Sequence, residues 1–251
     1  MLFSHILTSS RSVLLLSLDA GDHCNNEAVV RLQLDNFSGP YFLQLCTAKR
    51  LTASNTDGIL FSPCRKHVTL SSITNTLQVR HFVRPFNEDG HTFIHHAADS
   101  ILNLTSTNQN TVSISAKRVF NAKATDPTLL PTILTIPQTI SHFVMNLPAT
   151  AIDFLGSFNG LYHGHERLFE PHTSTKLPMV HVHCFSTKSE DNVREGIEIC
   201  ERISEKLGYV VKPGDKELVI HEVRDVAPKK RMFCASFRLP GEVAFRERRT
   251  R

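Results

Sequence analysis

The stretch MVHVHCFSTKSEDNVREGIEICERISEKLG, residues 179–208, joins an apolar segment to an amphipathic one. Its first part, Met179 to Phe185, predicts a continuous apolar strand. The apolar side chains beyond it recur at helical spacing, which predicts a helix with five of them on one face: Val193, Ile197, Cys200, Ile203 and Leu207. Ser189 and Asp191 near its start and Gly208 just past its end suit the two helix termini.

The same order of strand and helix precedes this stretch. His81 to Asn87 predicts a short strand, and the spacing over Thr92 to Leu102 predicts a helix after it. Ser141 to Leu147 is an apolar run that ends at Pro148 and predicts a strand. Beyond Pro148 the apolar residues recur at helical spacing, which predicts a helix. Between these units, the polar segment Thr105 to Gln138 contains three prolines and predicts an insertion loop.

A predicted hairpin follows the central stretch. Glu217 to Val226 and Met232 to Leu239 read as strands, and the turn at Pro228-Lys229-Lys230 is short enough to make them antiparallel. Elements in this order predict the second half of an open, doubly wound α/β sheet with an antiparallel edge strand. Residues 1–79 are left unassigned and expected to be poorly ordered, because the segment from Thr47 to Thr76 shows no clean helix or strand period. The first half of the sheet is therefore expected to be missing.

Composition excludes several classes of protein. The 251 residues are 41% hydrophobic and 21% charged, as in ordinary globular domains, and no apolar run reaches the roughly 18 to 20 residues that cross a bilayer. Six scattered cysteines without a CxxC pair indicate neither a zinc module nor a disulfide scaffold. The net charge of +4 permits a polyanionic partner. Residues 1–18 have the composition of an organelle transit peptide, with an ill-ordered N-terminus as the alternative.

Metal and nucleophilic chemistry find little support in the sequence. His181 and His183 share one face of a strand, as metal ligands can, but no third ligand stands at motif spacing. We therefore expect buried or edge histidines there and no metal. No GxSxG motif occurs, and no cysteine lies in a catalytic motif.

Polar residues that directly follow the predicted strands are candidates for ligand binding, because open α/β sheets bind ligands at the carboxyl ends of their strands. After the first strand, Asp89 can accept hydrogen bonds from an adenine amino group or a ribose, and Gly90 lets a flat ring approach the backbone. After the second, Asn146 offers an amide held by the rigid turn at Pro148. Both Asp89 and Asn146 have a structural alternative as caps.

Three cations, Lys229, Lys230 and Arg231, stand at the hairpin turn. A phosphate contact is one interpretation of this cluster, and a solvated turn is the other.

Four short segments resemble, in order and spacing, the C-terminal part of the eukaryotic and archaeal tRNA guanine-37 N1-methyltransferases, the fungal members most closely. The segments are Val83–Gly90, Phe143–Ala151, Val180–Phe185 and Val223–Lys230. Together they span about Arg80 to Phe245, whereas residues 1–79 match nothing that we can place in the family. The resemblance thus implies a partial methyltransferase domain over residues 80–245, followed by a basic tail over residues 246–251 that is either RNA-facing or solvated.

The resemblance implies a Rossmann-like class I methyltransferase fold that binds S-adenosyl-L-methionine and tRNA. Asp89, Gly90 and Asn146 would bind the cofactor, and Asn146 and Pro148 would form the catalytic pocket for the base. Guanine N1 carries a proton, so its methylation needs a base to remove that proton and donors to hold charge on O6. Lys230 and its neighbour Arg231 would contact the tRNA. We expect a monomer in the cytoplasm, nucleus or mitochondrial matrix.

Several family features have no recognisable counterpart in this sequence. These are the glycine-rich turn after the first strand, the Asp-x-Asn-Pro element, the upstream acidic base and arginine, and the N-terminal RNA-binding domains. We therefore expect a truncated member of the family that does not methylate tRNA alone. Two alternatives stay open: a non-catalytic module that binds RNA or a partner, and an unrelated α/β domain with a structural role. Stabilisation of the chain by S-adenosyl-L-methionine would distinguish the methyltransferase hypothesis from both of these alternatives.

Overall fold

The computed structural model describes residues 13–19, 42–48, 83–86, 89–114 and 132–248 of the chain. Its strands are β1 (Val13–Asp19), β2 (Phe42–Ala48), β3 (Val83–Phe86), β4 (Thr111–Ile114), β5 (Thr132–Thr135), β6 (His142–Asn146), β7 (Met179–Thr187), β8 (Val219–Ala227) and β9 (Lys230–Arg238). Its α-helices are α1 (Gly90–Ser106), α2 (Val193–Leu207) and α3 (Gly241–Ala244), and two 3₁₀ helices cover Ala151–Phe158 and Glu166–Leu168. No helix in these ranges is long and apolar enough to span a membrane.

Seven strands form one sheet in the order β3-β2-β1-β6-β7-β9-β8. The strands from β3 to β7 in this order are parallel, and β9 runs antiparallel to both of its neighbours. The predicted α/β sheet with a terminal hairpin at its edge is confirmed. The expected antiparallel edge strand needs correction, because the antiparallel strand is β9, which lies between β7 and the edge strand β8. The five strands expected near residues 82, 143, 181, 220 and 235 all belong to it.

The expectation that the first half of the sheet is missing needs correction. Strand β1 lies between β2 and β6, and β2 lies between β1 and β3, so residues before position 80 supply two central strands. The seven-residue segment Val13–Asp19, in which Ser17 interrupts the apolar run, carries too little periodicity to identify a strand. Its neighbours in the sheet, β2 and β6, are distant in sequence. The transit-peptide interpretation covers residues 1–18, of which 13–18 belong to β1, whereas residues 1–12 and most of the unassigned segment lie outside the described residues.

The predicted insertion loop is also partly structured. Helix α1 begins two residues earlier and ends four residues later than its apolar spacing predicts. Strands β4 and β5 pair antiparallel as a separate two-stranded sheet within the same segment. Residues 115–131 between them lie outside the described part of the chain.

The core lies between the sheet and α1, α2 and the first 3₁₀ helix. Strands β6, β7 and β9 contribute alternate side chains to it, including Phe143, Val182 and Phe233, all at most 1% exposed. Phe158 of the 3₁₀ helix meets Phe143 edge to face, with 4.9 Å between the ring centroids. This packing fixes the helices against the strands whose ends carry the candidate residues.

Helix α2 has a buried face that differs from the predicted one. The buried residues are Glu195, Ile199, Cys200, Ile203 and Leu207. Val193 and Ile197 are 58% and 44% exposed, because the buried stripe is centred on Ile203 and these two lie at its border. The expected end is confirmed: Gly208 adopts a φ of 60°, and its N–H donates to Ser204.

Candidate functional site

The register of the sheet brings the carboxyl ends of the parallel strands to one edge. Near this edge, four residues are register partners on the adjacent strands β3, β2, β1 and β6: Phe86, Cys46, Ser17 and Met145. Asp89 and Asn146 follow the two outer strands of this set, so both lie at the same edge, as predicted. Two strands separate β3 from β6, which places the two strand ends about 14 Å apart at the usual spacing of about 4.8 Å. We call this edge the carboxyl edge.

Asp89 is the N-cap of α1. Its Oδ1 accepts a hydrogen bond from the backbone N–H of His91 at 2.8 Å, and its carbonyl oxygen accepts from the N–H of Phe93 at 2.9 Å. The capping alternative is therefore confirmed. Among the described residues, no donor reaches the second carboxylate oxygen, which is left to accept from a ligand.

Gly90 is buried against an aromatic ring of the chain itself. A Cβ atom built at Gly90 would lie 2.9 Å from Cε1 of Phe154. The flat group that approaches this glycine is thus Phe154 of the 3₁₀ helix, a packing reason for glycine that the sequence did not reveal. Beside it, the ring of His91 lies 4.6 Å from that of Phe154, and its Nδ1 is 2.9 Å from Oγ of Ser157. The start of α1 is held to the 3₁₀ helix by these contacts.

Asn146 presents an exposed amide at the end of β6. The following 3₁₀ helix has Thr150 as its N-cap, so Asn146 does not cap it. No described residue forms a side-chain hydrogen bond with Asn146. Pro148 occupies the second position of a tight turn, in which the carbonyl of Leu147 accepts from the N–H of Thr150 at 2.9 Å. The amide is therefore carried by a rigid turn and is open to a ligand.

Lys230 lies beside the same turn, through Phe185. The N–H of Phe185 donates to the carbonyl of Pro148 at 3.2 Å, and Nζ of Lys230 lies 4.1 Å from the centroid of the Phe185 ring. Lys230 pairs in register with Thr187 at the end of β7. A cation, a ring and the Asn146 turn thus meet at the carboxyl edge. Phe185 is not among the residues predicted from the sequence, although its place near the end of an apolar strand is a usable signal.

Arg231 is engaged within the protein. Its Nε donates to Asp225 at 2.9 Å, and its Nη1 donates to Oδ1 of Asn192 at 2.6 Å and lies 3.2 Å from Glu222. The side chain is 13% exposed. RNA binding by Arg231 stays a prediction, but of the predicted pair only Lys230 has its charge turned toward the open edge.

The basic tail is docked where the structure describes it. Arg248 forms a two-pronged ion pair with Asp99 at 2.7 and 2.9 Å, which lowers the pKa of that carboxyl. Arg246 donates to the carbonyls of Leu207 and Gly208 at 3.0 and 2.7 Å. The solvated interpretation is corrected for these two arginines, whereas RNA contact by them stays a prediction; residues 249–251 lie outside the described range.

His181 belongs to a buried hydrogen-bond chain. Its Nε2 is 3.0 Å from Nδ1 of His142, and its own Nδ1 is 2.8 Å from Oγ of Ser236. Burial lowers the pKa of His142 to about 4 and that of His181 to about 3. His183 approaches the carbonyl of Met145 at 3.3 Å. The expected burial is confirmed for His181, which is 4% exposed, whereas His183 is half-buried on an interior strand. The described residues contain no cluster of three possible metal ligands.

A cleft of about 1060 Å³ opens elsewhere, between the end of α2 and the start of β8. Its lining includes Leu177, Tyr209, Lys212, Arg238 and Gly241. Leu177 precedes β7, and Arg238 ends the antiparallel β9, so this cleft lies at the sheet edge opposite the carboxyl edge. None of the predicted site residues lines it.

The C-terminal part of the chain is similar to curated fungal proteins. It is 55% identical over 178 residues to the tRNA (guanine(37)-N(1))-methyltransferase of Neurospora crassa, in a match that covers 69% of this chain and 37% of that protein. The enzyme of the same name from Fusarium vanettenii is 52% identical over 186 residues, or 72% of this chain and 39% of the relative. The chain thus spans about two fifths of the length of these relatives.

A third relative matches more of the chain. The enzyme of the same name from Batrachochytrium dendrobatidis is 36% identical over 219 residues, which cover 83% of this chain and 42% of the relative. Residues 80–251 make up only about two thirds of the chain, so this match also includes residues before position 80. The expectation that residues 1–79 match nothing in the family is corrected to that extent.

No protein-family model and no solved structure matches the chain. The comparison with curated proteins nevertheless shows that the C-terminal part of this chain is similar to the tRNA (guanine(37)-N(1))-methyltransferases of fungi, at about 50% identity.

Proposed function

We propose that this chain is part of a class I, Rossmann-like methyltransferase that transfers a methyl group from S-adenosyl-L-methionine to N1 of guanine 37 in tRNA. The observation that carries the proposal is the place of Asn146. The strand order reverses between β1 and β6, and open α/β sheets bind ligands at this reversal. Asn146 ends β6, is exposed, and stands on the turn that is contained in the span similar to the relatives.

The residues at the carboxyl edge fit the proposed cofactor in chemical type. The free carboxylate oxygen of Asp89 suits the amino and hydroxyl donors of adenosine, and the Asn146 amide can both donate and accept. Bound there, S-adenosyl-L-methionine would supply the methyl group. Gly90 supports this site indirectly, because its close contact with Phe154 fixes the helix that Asp89 caps.

The other residues of the edge would act on the tRNA. The Asn146 amide would orient the guanine ring edge, the Pro148 turn would limit the space around it, and Lys230 would hold a phosphate or the O6 oxygen.

Thermal unfolding with S-adenosyl-L-methionine tests the cofactor site. A ligand at 100 times its Kd stabilises the folded chain by about 2.7 kcal/mol, so the Tm should rise by several degrees. Asn146→Ala should reduce that rise without lowering the Tm of the free chain, because the side chain is exposed and makes no described contact. An unchanged Tm for the wild-type chain at millimolar cofactor would contradict the proposal.

Binding of unmodified tRNA tests the second partner. We expect affinity to fall steeply with salt, and Lys230→Gln to reduce the slope of log K against log salt by about 1, the value for one lost phosphate contact. Arg238→Gln is a matched control, because Arg238 lies at the other end of β9 and pairs with Glu217. Equal slopes for wild type and Lys230→Gln would exclude a phosphate contact by Lys230, and equal affinities as well would remove Lys230 from the tRNA site.

A non-catalytic RNA-binding module is the second candidate, favoured by the cation of Lys230 at an open edge. It predicts salt-dependent tRNA binding without any stabilisation by S-adenosyl-L-methionine.

We further propose a monomer that acts where tRNA is present, in the cytoplasm, nucleus or mitochondrial matrix. Sedimentation and imaging of a tagged chain test these two points.

A further inference from the structure

We propose that Arg231 is a positioning residue that holds Lys230 in place at the carboxyl edge. The inference rests on the proposed function, in which Lys230 contacts tRNA, and assigns to Arg231 a role that is not RNA contact. Its guanidinium links the β8–β9 hairpin to the loop between β7 and α2.

The contacts of Arg231 come from two separate segments. From β8, Asp225 accepts from Nε at 2.9 Å, and Glu222 lies 3.2 Å from Nη1. From the β7–α2 loop, Asn192 and the carbonyl of Ser189 accept from Nη1 at 2.6 and 3.3 Å. One side chain thus joins the end of the hairpin to the loop that follows β7.

The hairpin needs such a link because its ladder is irregular. The β8–β9 register shifts twice near the turn, between Glu222 and Arg224 and again between Asp225 and Ala227. Irregular register removes ladder hydrogen bonds and leaves a strand end less constrained. The side-chain network of Arg231 lies across this region, and the ion pair of Lys188 with Asp225 reinforces it.

Arg231 and Lys230 are neighbours on β9 with opposite orientations. Successive side chains of a strand point to opposite faces, so Arg231 lies on the face of α2 while Lys230 lies over Phe185 on the other. A backbone fixed at Arg231 therefore fixes the starting point of the Lys230 side chain. Without the link, we expect the hairpin end to move and the contact between Lys230 and Phe185 to be lost.

Lysine cannot replace arginine in this role. The partners lie in several directions around a planar group, and the guanidinium reaches them with donors in a fixed fork. An ammonium group has the same charge but cannot span Asp225 and Asn192 at once. Arg231→Lys therefore separates the two roles: a direct phosphate contact would survive it, and positioning would not.

The first test measures the Lys230 side chain itself, without RNA. Lysines of the 251-residue chain are reductively methylated with ¹³C, and the Lys230 signal is assigned by its loss in Lys230→Gln. We expect an upfield ring-current shift from Phe185 that Arg231→Gln abolishes and Arg238→Gln preserves. A Lys230 shift that persists in Arg231→Gln would overturn the inference, whatever the chain does with tRNA.

The second test uses tRNA affinity in a double-mutant cycle of Arg231→Lys and Lys230→Gln. Positioning predicts that each single variant weakens binding to a similar extent and that the double variant is no weaker than either. Independent losses that add, or an Arg231→Lys chain that binds like wild type, would overturn the inference. If Lys230→Gln alone has no effect, the proposed RNA role of Lys230 fails and the inference fails with it. Far-UV circular dichroism of each variant confirms that it is folded.

Discussion

Phe185 donates its backbone N–H to the carbonyl oxygen of Pro148 at 3.2 Å, and this bond ties the turn after β6 to the neighbouring strand β7. The same residue carries the amino group of Lys230 over its ring. The turn after Asn146 and the cation of Lys230 are therefore linked through Phe185, by one backbone hydrogen bond and one cation–ring contact. In the proposed function, this link would let segments that are far apart in sequence act on one substrate.

Pro148→Ala tests the rigidity of that turn. Proline at the second turn position matches its fixed φ and reduces the freedom of the unfolded chain, so its loss should lower the free energy of unfolding by about 0.4–1 kcal/mol. Urea denaturation measures the difference, with Asn146→Ala as a control that should lie within about 0.5 kcal/mol of wild type. An equally stable Pro148→Ala chain would mean that the turn is held by other contacts.

Gly90→Ala tests the close contact between α1 and Phe154. A Cβ at Gly90 would lie 2.9 Å from the ring, and such overpacking typically costs about 1–3 kcal/mol of unfolding free energy. Gly196→Ala in α2 is the matched control, because its Cβ would meet Ile220 at an ordinary 3.9 Å and alanine favours a helix. Only the first variant should be destabilised. Equal stability of the two would contradict the packing described for Gly90.

The histidine pair predicts a loss of stability in mild acid. The folded pKa values of His142 and His181 are about 4 and about 3, below the unfolded value near 6.5. Between these values the unfolded chain binds protons that the folded chain does not. The free energy of unfolding therefore has its highest value above pH 6.5 and decreases as the pH falls toward 4. The decrease is up to about 1.4 kcal/mol per pH unit for each histidine.

Urea denaturation of His142→Gln/His181→Gln between pH 7 and 4.5 checks this expectation. The double variant should show a shallower dependence on pH than the wild type. His95 and His183 keep part of the slope, because burial lowers their pKa values too. Parallel curves for the double variant and wild type would show that the pair titrates normally.

Arg248→Gln tests whether the arginine near the end of the described chain is structural. It removes the ion pair with Asp99 and two hydrogen bonds to the carbonyls of Gly160 and Leu161. We expect a loss of about 1–2 kcal/mol in unfolding free energy, with tRNA affinity unchanged. Lys230→Gln should instead weaken tRNA binding and leave the free energy of unfolding unchanged. A tRNA affinity that falls in Arg248→Gln without loss of stability would restore the RNA-facing interpretation.

Much of the second half of the fold follows from local pattern. The run Met179 to Phe185 and the apolar spacing after it predict β7 and α2, and the short turn at Pro228 predicts the antiparallel hairpin. These elements have strong periodicity or definite end signals, such as Gly208. The two central strands β1 and β2 escaped detection because polar residues interrupt their apolar runs, Ser17 in β1 and Gln44 in β2, and because they pair only with strands that are distant in sequence.

The candidate site divides in a similar way. Asp89 and Asn146 could be found because ligand sites follow parallel strands, and the register confirms their common edge. The reason for glycine at position 90 could not be found, because it lies in a ring 64 residues away that only folding brings close. The partners of Arg231 and Arg248 likewise come from distant segments. Charge patterning alone cannot distinguish a docked arginine from a solvated one.

Hydrogen exchange with and without S-adenosyl-L-methionine tests the central claim most directly, namely that the carboxyl edge holds the methyl donor. At saturating cofactor, we predict slower exchange in peptides that cover residues 89–96 and 146–152, and no change in residues 209–217 of the opposite cleft. Protection confined to that cleft, or no protection anywhere at millimolar cofactor, would contradict the account.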